Sequence, residues 1–213
     1  MGKGRARGRY QSGVIHTDLP HNPLPLVHPS TPAPMKKKTE PAPVSAGWPD
    51  AVMQIFHAQK IRQVAYVPDT GAKRLIELVR ADKTMQAIPL TTEEEGVALA
   101  VGACLGGERC ALLIQSSGAG NCINMLGMVS ECRVPLLMLV TMRGTWAEFN
   151  PWQIPMAEAT APALAAIGCV VKRVDDASQV GPIVSAACQL AFNTNRPVAV
   201  LMDQRLVGTK EFK

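Results

Sequence analysis

The chain has 213 residues, enough for one domain with a sizeable core, and its 47% hydrophobic content with only 4% aromatics is typical of α/β proteins. Its longest apolar run, Val134–Val140, is far too short to cross a membrane, so we expect no membrane partner. The net charge of +5 arises within residues 1–47, and the remainder is balanced, so we expect no nucleic-acid partner either.

The six cysteines predict reduced thiols in a cytoplasmic protein. They form no Cys-x-x-Cys pair, no histidine lies at ligand spacing from them, and their segments are apolar. Such thiols are typical of core positions in a reducing compartment, so we expect no metal site built by this chain. A catalytic cysteine is the alternative.

Residues 1–46 are predicted to form a disordered, proline-rich basic extension, and residues 47–213 are predicted to form the folded domain. The extension contains eight prolines and shows no apolar periodicity. It also lacks the apolar stretch of a secretory signal, so we expect no export by that route.

Beyond Gly47, segments with the apolar spacing of helices alternate with short apolar runs typical of strands. The predicted helices begin at Pro49 and near Leu75, cover Glu93–Leu105, run from the glycine-rich segment to Glu131, and cover Glu158–Ile167 and Ser178–Asn193. The predicted strands are Val64–Val67, Met85–Ile88, Ala111–Ile114, Leu136–Val140, Cys169–Val174 and Val198–Leu201. This alternation predicts a single three-layer α/β domain with a mostly parallel sheet of about six strands, covered by helices on both faces.

Two segments near the middle of the chain indicate cofactor handling. Glu93 to Glu95 open a helix that is otherwise small and apolar, and Gly102 follows Glu93 by nine positions. The segment Gln115-Ser-Ser-Gly-Ala-Gly-Asn121 follows an apolar run and predicts a glycine-rich turn, which allows close approach to a flat ligand. Each signal alone is weak, because acidic residues suit any helix start and glycine-rich turns are common in Rossmann-like domains.

Together these segments resemble the pyrimidine-binding domain of thiamine-diphosphate enzymes, and they are most similar to sulfopyruvate decarboxylase α subunits and the related phosphonopyruvate decarboxylases. In that family a catalytic glutamate precedes a helix glycine by nine positions. The resemblance covers residues 48–205 and implies thiamine diphosphate as cofactor, with Glu93 catalytic through a hydrogen bond to the aminopyrimidine ring. The implied cofactor-binding set is Glu93, Gln115, Ser116, Ser117, Gly118, Gly120 and Asn121.

The resemblance also implies a partner subunit. Full-length members of the family hold the diphosphate through Mg²⁺ in a second domain that carries a Gly-Asp-Gly motif and a later Asn. This chain contains no Gly-Asp-Gly. We therefore expect a separate β subunit to carry the diphosphate and Mg²⁺ domain, with the cofactor between the two chains.

The predicted loop over Met142–Pro155 is the second candidate site, because α/β proteins place ligand loops after their strands. Arg143 offers a fork of donors that suits a sulfonate or phosphonate. Asn150 and Gln153 are the other candidate substrate contacts in this loop. An ordinary surface arginine is the alternative interpretation of Arg143.

The implied function is that of the α subunit of a decarboxylase that converts 3-sulfopyruvate, a small anionic 2-oxo acid, to sulfoacetaldehyde and CO₂. Phosphonopyruvate is the alternative substrate, since both acids combine a three-carbon keto acid with an anionic head group. Two alternatives belong to other classes: a non-catalytic subunit that stabilises a partner, and a Rossmann-type nucleotide-binding module.

Overall fold

Residues 47–208 are described by the structure, which is a computed structural model, and they form alternating helices and strands. The strands are β1 (Ile61–Tyr66), β2 (Gln86–Pro89), β3 (Arg109–Gln115), β4 (Leu136–Thr141), β5 (Val170–Val174) and β6 (Pro197–Met202). The helices are α1 (Trp48–Ala58), α2 (Lys73–Ala81), α3 (Glu93–Leu105), α4 (Ser116–Glu131), α5 (Ile154–Ala166), α6 (Ala177–Thr194) and α7 (Gln204–Val207), with a 3₁₀ helix (Pro151–Gln153) before α5.

The strands within this range form one sheet in the order β2-β1-β3-β4-β6-β5, and every neighbouring pair is parallel. Helices α1, α2 and α6 pack on one face, and α3, α4 and α5 pack on the other. The central strands β4 and β6 are buried along their whole length, as expected for a parallel sheet covered on both sides. The predicted three-layer α/β fold is confirmed, and the sheet, predicted as mostly parallel, is entirely so in the described residues.

Strand β3 shows how one short apolar run serves both layers. Ala111 and Leu113 belong to the core beneath α1, α2 and α6, whereas Leu112 and Ile114 belong to the core beneath α3, α4 and α5. Successive side chains of a strand point to opposite faces, so an unbroken apolar run buries both. The strand ends at Gln115, where polar residues begin.

Helix α3 has the predicted bounds, Glu93–Leu105. Its start is fixed by a capping box in which Glu95 accepts a hydrogen bond from the Thr91 backbone N–H at 2.7 Å and from that of Thr92 at 3.4 Å. Gly96 is buried, and a Cβ atom there would overlap the Leu112 side chain. The small residues of α3 therefore let it lie close to the sheet.

Two local predictions were wrong. The glycine-rich segment does not form a turn, because α4 begins at Ser116, immediately after β3. The region after β4 is not a loop as far as Pro155, because α5 begins at Ile154 and a 3₁₀ turn precedes it. In both places proline or glycine suggested a break, but proline suits the first turn of a helix, and packing favours the small residues of α4.

The predicted extension over residues 1–46 lies outside the described residues, as do residues 209–213. Among the helices that the structure describes, none is both long enough and apolar enough to span a membrane.

The cysteines are free thiols, as predicted. Burial raises the pKa of four of them to about 12, so they stay protonated at neutral pH: Cys110, Cys122, Cys169 and Cys188. Cys104 is half-buried. The core prediction was wrong for Cys132, which is exposed because it caps the end of α4.

Candidate active site

The predicted site residues lie at the carboxyl-terminal edge of the sheet. From β1 the chain crosses to β2 on one side, whereas from β3 it crosses to β4 on the other side. Such a change of direction is a topological switch point, where open α/β sheets form a crevice outside the ends of their strands. Glu93 begins α3 and Ser116 begins α4 at this edge.

Glu93 and the first turns of α4 are in direct contact. The Asn121 side-chain Nδ2 donates a hydrogen bond to Glu93 Oε2 at 2.8 Å. Gly118 is buried one turn earlier, and a Cβ atom there would overlap the Glu93 carboxyl group. Glycine inside a helix costs about 1 kcal/mol relative to alanine, so close approach to the carboxylate explains its place here. We call Glu93, Gly118 and Asn121 the Glu93 cluster.

Gln115 is held by a residue that the sequence analysis did not select. Its Nε2 donates to Asp69 Oδ1 at 2.9 Å, and its Oε1 accepts from Ser117 Oγ at 2.9 Å. Asp69 Oδ2 also accepts from Thr141 Oγ1 at 2.6 Å and from the Gly71 backbone N–H at 3.1 Å. Asp69 therefore links the ends of β1, β3 and β4 and fixes the orientation of the Gln115 amide.

Ser116 and Gly120 connect α4 to the chain that follows β4. The Ser116 side chain is fully buried, and its Oγ accepts from the Arg143 backbone N–H at 3.1 Å. Gly120 is exposed, and a Cβ atom there would lie 3.5 Å from the Met156 sulfur. In this structure Ser116 holds the loop, whereas Gly120 lies at the surface beside α5.

Arg143 forms an ion pair with Glu148 inside its own loop. The Arg143 Nε lies 2.6 Å from Glu148 Oε2, and Nη2 lies 2.5 Å from Oε1. The Arg143 side chain is 16% exposed and that of Glu148 is 2% exposed. The pair uses two of the five guanidinium N–H groups, so Arg143 is a largely buried member of the loop structure, and its contact with substrate stays a prediction.

Glu148 accepts several of the side-chain hydrogen bonds that hold this loop. Besides Arg143, it accepts hydrogen bonds from the backbone N–H groups of Gly144 and Asn150 and from Gln204 Nε2, at 3.2, 3.0 and 2.9 Å. The pKa of Glu148 is lowered from 4.5 to about 2, mainly because its carboxylate accepts the hydrogen bonds from Arg143. The same ion pair raises the pKa of Arg143. Both groups are therefore charged at neutral pH.

The other two predicted substrate contacts occupy different positions in the loop. Asn150 caps the 3₁₀ helix, with its Oδ1 accepting from the Trp152 backbone N–H at 3.1 Å. Gln153 is half-buried, and its Oε1 is a buried acceptor without a hydrogen-bond partner. A buried amide oxygen normally has a donor, so Gln153 Oε1 is an acceptor with unused hydrogen-bonding capacity.

Three residues of the site escaped sequence analysis: Asp69, Glu148 and Gln204. Asp69 lies in Pro68-Asp69-Thr70-Gly71, whose composition predicts a turn, and its interaction partners are far away in sequence. Gln204 accepts hydrogen bonds from the backbone N–H groups of Thr145 and Trp146 at 3.2 and 3.1 Å. No motif marks it, because its role depends on the fold placing α7 beside the loop.

A small cavity lies between the loops that follow β1 and β4, with Asp69, Thr141 and Arg143 in its wall. Its volume of about 30 Å³ is comparable to one water molecule, too small for a three-carbon acid. Within residues 47–208 no group of three or more His, Cys, Asp or Glu side chains could hold a metal ion.

The class of protein follows from a family comparison. Residues 67–211 match the family described as pyruvate flavodoxin/ferredoxin oxidoreductase, thiamine diphosphate-binding, so the chain belongs to this thiamine-diphosphate-binding family. The Glu93 cluster lies within the matched residues.

Individual relatives narrow this assignment. The chain is 36% identical over 155 residues to the sulfopyruvate decarboxylase subunit alpha of Methanococcus maripaludis, covering 72% of this chain and 93% of that protein. It is 29% identical over 151 residues to the phosphonopyruvate decarboxylase of Streptomyces viridochromogenes, covering 70% of this chain and 38% of that protein.

A solved structure shares the fold. The 2-oxoglutarate:ferredoxin oxidoreductase from Magnetococcus marinus, determined with 2-oxoglutarate, coenzyme A and succinyl-CoA bound, superposes with a TM-score of 0.59 at 16% identity. The match covers 76% of this chain and 29% of that one. This likeness supports the architecture alone.

The described residues fit the pyrimidine end of thiamine diphosphate. Glu93 supplies a carboxylate that can pair with a ring nitrogen, and Gly118 lets α4 approach it without a side chain between them.

Proposed function

We propose that this chain is the α subunit of a thiamine-diphosphate-dependent decarboxylase that converts 3-sulfopyruvate to sulfoacetaldehyde and CO₂ together with a separate β subunit. The thiamine-diphosphate-binding family and the α-subunit relatives support this interpretation over a Rossmann-type nucleotide-binding module. The intact Glu93 cluster favours a catalytic subunit over a purely stabilising one.

The observation that carries the proposal is the contact of Glu93 with the glycine-bearing start of α4. Bound thiamine diphosphate supplies the electron sink for loss of CO₂. Glu93 then acts as the catalytic residue by hydrogen-bonding a nitrogen of the aminopyrimidine ring and exchanging a proton at that atom. The other proposed cofactor-binding residues are the exposed Ser117 and Gly120, the half-buried Gln115, and Gly118. Ser116 is buried and acts indirectly, because its side chain holds the loop that follows β4.

The partner would supply what this chain lacks. The match covers nearly all of a protein named as an alpha subunit but 38% of a decarboxylase named without a subunit. We therefore assign the diphosphate and Mg²⁺ to the β subunit, with the cofactor between the chains. The free thiols of this chain suit a reducing compartment, and we assign the enzyme to the cytoplasm.

The substrate would lie near the loop after β4. Arg143 keeps three guanidinium N–H groups outside its pair with Glu148, which is enough for an anionic head group. Gln153 and Asn150 lie at the adjacent 3₁₀ helix, and the Gln153 amide would bind the acid through its NH₂ donors, because its unpaired Oε1 is an acceptor. Phosphonopyruvate is the second candidate substrate, because a relative is named for it.

The test is turnover by the reconstituted enzyme. The partner is sought as a small subunit that carries Gly-Asp-Gly and a later Asn. The chain alone, the partner alone and the co-purified complex are each given thiamine diphosphate, Mg²⁺ and 3-sulfopyruvate, and CO₂ and aldehyde are measured. We expect turnover from the complex only, and none when thiamine diphosphate is omitted.

Each alternative has its own outcome. Turnover by the chain alone would contradict the two-subunit proposal. A higher specificity constant for phosphonopyruvate would reassign the substrate. Thermal stabilisation of the complex by NAD, with none by thiamine diphosphate plus Mg²⁺, would favour the nucleotide-binding module.

A further inference from the structure

The Asn121 side chain donates a hydrogen bond to the Glu93 carboxylate. The two residues lie 28 positions apart in sequence, on α4 and α3, and the Nδ2···Oε2 distance is 2.8 Å. Asn121 is exposed, so its amide could be hydrated equally well by water. A hydrogen bond at such a position contributes little to folding, which leaves the orientation of the carboxylate as its main consequence.

Gly118 confines the same carboxylate from another side. A Cβ atom at Gly118 would overlap Glu93 Cδ, Cγ and Oε1, so the backbone of α4 lies directly against the carboxyl group. Gly118 and Asn121 are three positions apart and therefore share one face of the helix. This face contacts the carboxylate through Gly118 near Oε1 and through Asn121 at Oε2.

We infer that Asn121 is a positioning residue for Glu93 and does not act by contacting the cofactor itself; this inference rests on the proposed function. The amide engages Oε2 and restricts the rotation of a side chain that has three flexible torsions. The carboxylate is then held in one orientation, with Gly118 beside Oε1 and Asn121 at Oε2, and the ring nitrogen of the cofactor would use the carboxylate lone pairs that these two contacts leave open. Orienting a reactive group in advance removes an entropic cost from the reaction.

The direct-contact interpretation makes a different prediction. If Asn121 bound the cofactor, its removal would have the same effect whether or not Glu93 were present. If it acts through Glu93, the two substitutions must be non-additive, because the second removes an interaction that the first has already abolished. A double-mutant cycle therefore separates the two roles.

The cycle uses the complex with the partner subunit and four proteins: wild type, Asn121→Ala, Glu93→Ala and the double variant. Glu93→Ala is chosen because glutamine would keep an acceptor for Asn121. Affinity for thiamine diphosphate, in the presence of Mg²⁺, is measured alongside kcat and KM for 3-sulfopyruvate. Asn124→Ala is the control, since Asn124 is an exposed asparagine on the same helix.

We expect Asn121→Ala to weaken thiamine diphosphate binding and to lower kcat, each by about 10-fold, with little change in KM for 3-sulfopyruvate; the two losses together match the range of a hydrogen bond to a charged group. In the Glu93→Ala background the same change should alter cofactor affinity and any residual turnover by no more than about twofold. Asn121→Asp, which keeps the shape but places a second carboxylate beside Glu93, should be at least as impaired. The melting temperature of the cofactor-free complex should stay the same for both Asn121 variants.

Equal losses in the two backgrounds would overturn the inference and indicate direct cofactor contact. An unchanged kcat in Asn121→Ala would overturn it as well. If the wild-type complex binds thiamine diphosphate but does not decarboxylate 3-sulfopyruvate, the proposed function fails, and the binding cycle still decides the role of Asn121. A complex that binds no thiamine diphosphate would overturn both.

Discussion

Arg143 donates two hydrogen bonds to Glu148, from its Nε to Glu148 Oε2 at 2.6 Å and from its Nη2 to Glu148 Oε1 at 2.5 Å. The Glu148 side chain is almost entirely removed from water, and backbone N–H groups and the Gln204 amide surround the rest of it. Removing one partner of a buried ion pair leaves the other charge uncompensated, and this is usually costly. The loop after β4 is therefore a fixed structure that depends on one carboxylate.

Glu148→Gln is expected to lower the free energy of unfolding by about 3 kcal/mol, because Arg143 loses its counter-charge in a buried site. Urea denaturation of the chain measures this. Arg205→Gln is the matched control: Arg205 also contacts two carboxylates, Asp175 and Asp203, but is 46% exposed. Exposed pairs contribute about 1 kcal/mol or less. Similar losses of unfolding free energy in the two variants would show that the buried pair stabilises the fold no more than the exposed one.

The same pair predicts a pH dependence. The folded protein lowers the pKa of Glu148 from 4.5 to about 2, so the carboxylate stabilises the fold above pH 4.5 and this stabilisation is lost as the pH falls toward 2. The shift corresponds to roughly 3 kcal/mol. The difference in unfolding free energy between wild type and Glu148→Gln should therefore be constant from pH 7 to 5 and shrink below that. A difference that does not change down to pH 3 would contradict this assignment.

Gly118→Ala tests the close approach of α4 to Glu93. Alanine favours a helix by up to about 1 kcal/mol over glycine, but its Cβ would overlap the carboxyl group. We expect thermal stability of the chain to change little and turnover of the complex to fall at least tenfold, because the carboxylate must move. Gly127→Ala is the control on the same helix, since a Cβ there meets only Ile167 Cδ1 at 3.6 Å. Full activity in Gly118→Ala would mean that Glu93 adjusts freely.

The order of strands and helices could be predicted because each element has its own apolar pattern. Helix α3 is the clearest example, with both ends as predicted, since acidic residues mark its start and a glycine follows its last apolar residue. The start of α4 could not be predicted in this way. Gly118 and Gly120 have the composition of a turn, and the close approach of Gly118 to Glu93, a residue of another helix, is visible only in the fold.

The site could be predicted only where chemistry and local sequence coincide. Glu93 was selected because its nine-residue spacing to Gly102 and the glycine-rich segment that follows resemble the thiamine-diphosphate family; an acidic helix start alone would not have marked it. Asp69 was missed because its partners Gln115 and Thr141 are the last residues of two other strands, 46 and 72 positions away in sequence, and only the parallel sheet brings them together. Glu148 was passed over in favour of Arg143, although the two form a pair only five positions apart.

Glu93→Gln tests the catalytic assignment by keeping the size of the side chain and removing its acid–base capacity. We expect turnover of the complex to fall about 10²- to 10⁴-fold, the usual contribution of a general acid–base group. Glu94→Gln should have little effect, because Glu94 is exposed. Glu95→Gln should also be mild, because an amide oxygen can still accept the capping hydrogen bond. A crippling effect of Glu94→Gln in place of Glu93→Gln would shift the catalytic assignment by one residue.

Arg143→Lys tests whether Arg143 recognises the anionic head group of the substrate. Lysine keeps the positive charge but loses the guanidinium fork. A charge-assisted contact contributes about 1.5–3 kcal/mol, so we expect the specificity constant for 3-sulfopyruvate to fall roughly 10- to 100-fold. Pyruvate lacks the second anionic group, and its specificity constant should change much less. Steady-state kinetics of the complex with both acids measures the ratio.

Because Arg143 is paired with Glu148, this experiment needs a control that disturbs the loop without changing Arg143. Because Arg143 also holds the loop, any substitution there can disturb both substrates through misplaced loop residues. Glu148→Gln loosens the same loop while leaving the guanidinium in place, so it should lower turnover of both acids by a similar factor. If Arg143→Lys also affects the two acids equally, Arg143 acts only through the loop. A selective loss with 3-sulfopyruvate in Arg143→Lys, absent from Glu148→Gln, would instead assign the head group to the guanidinium.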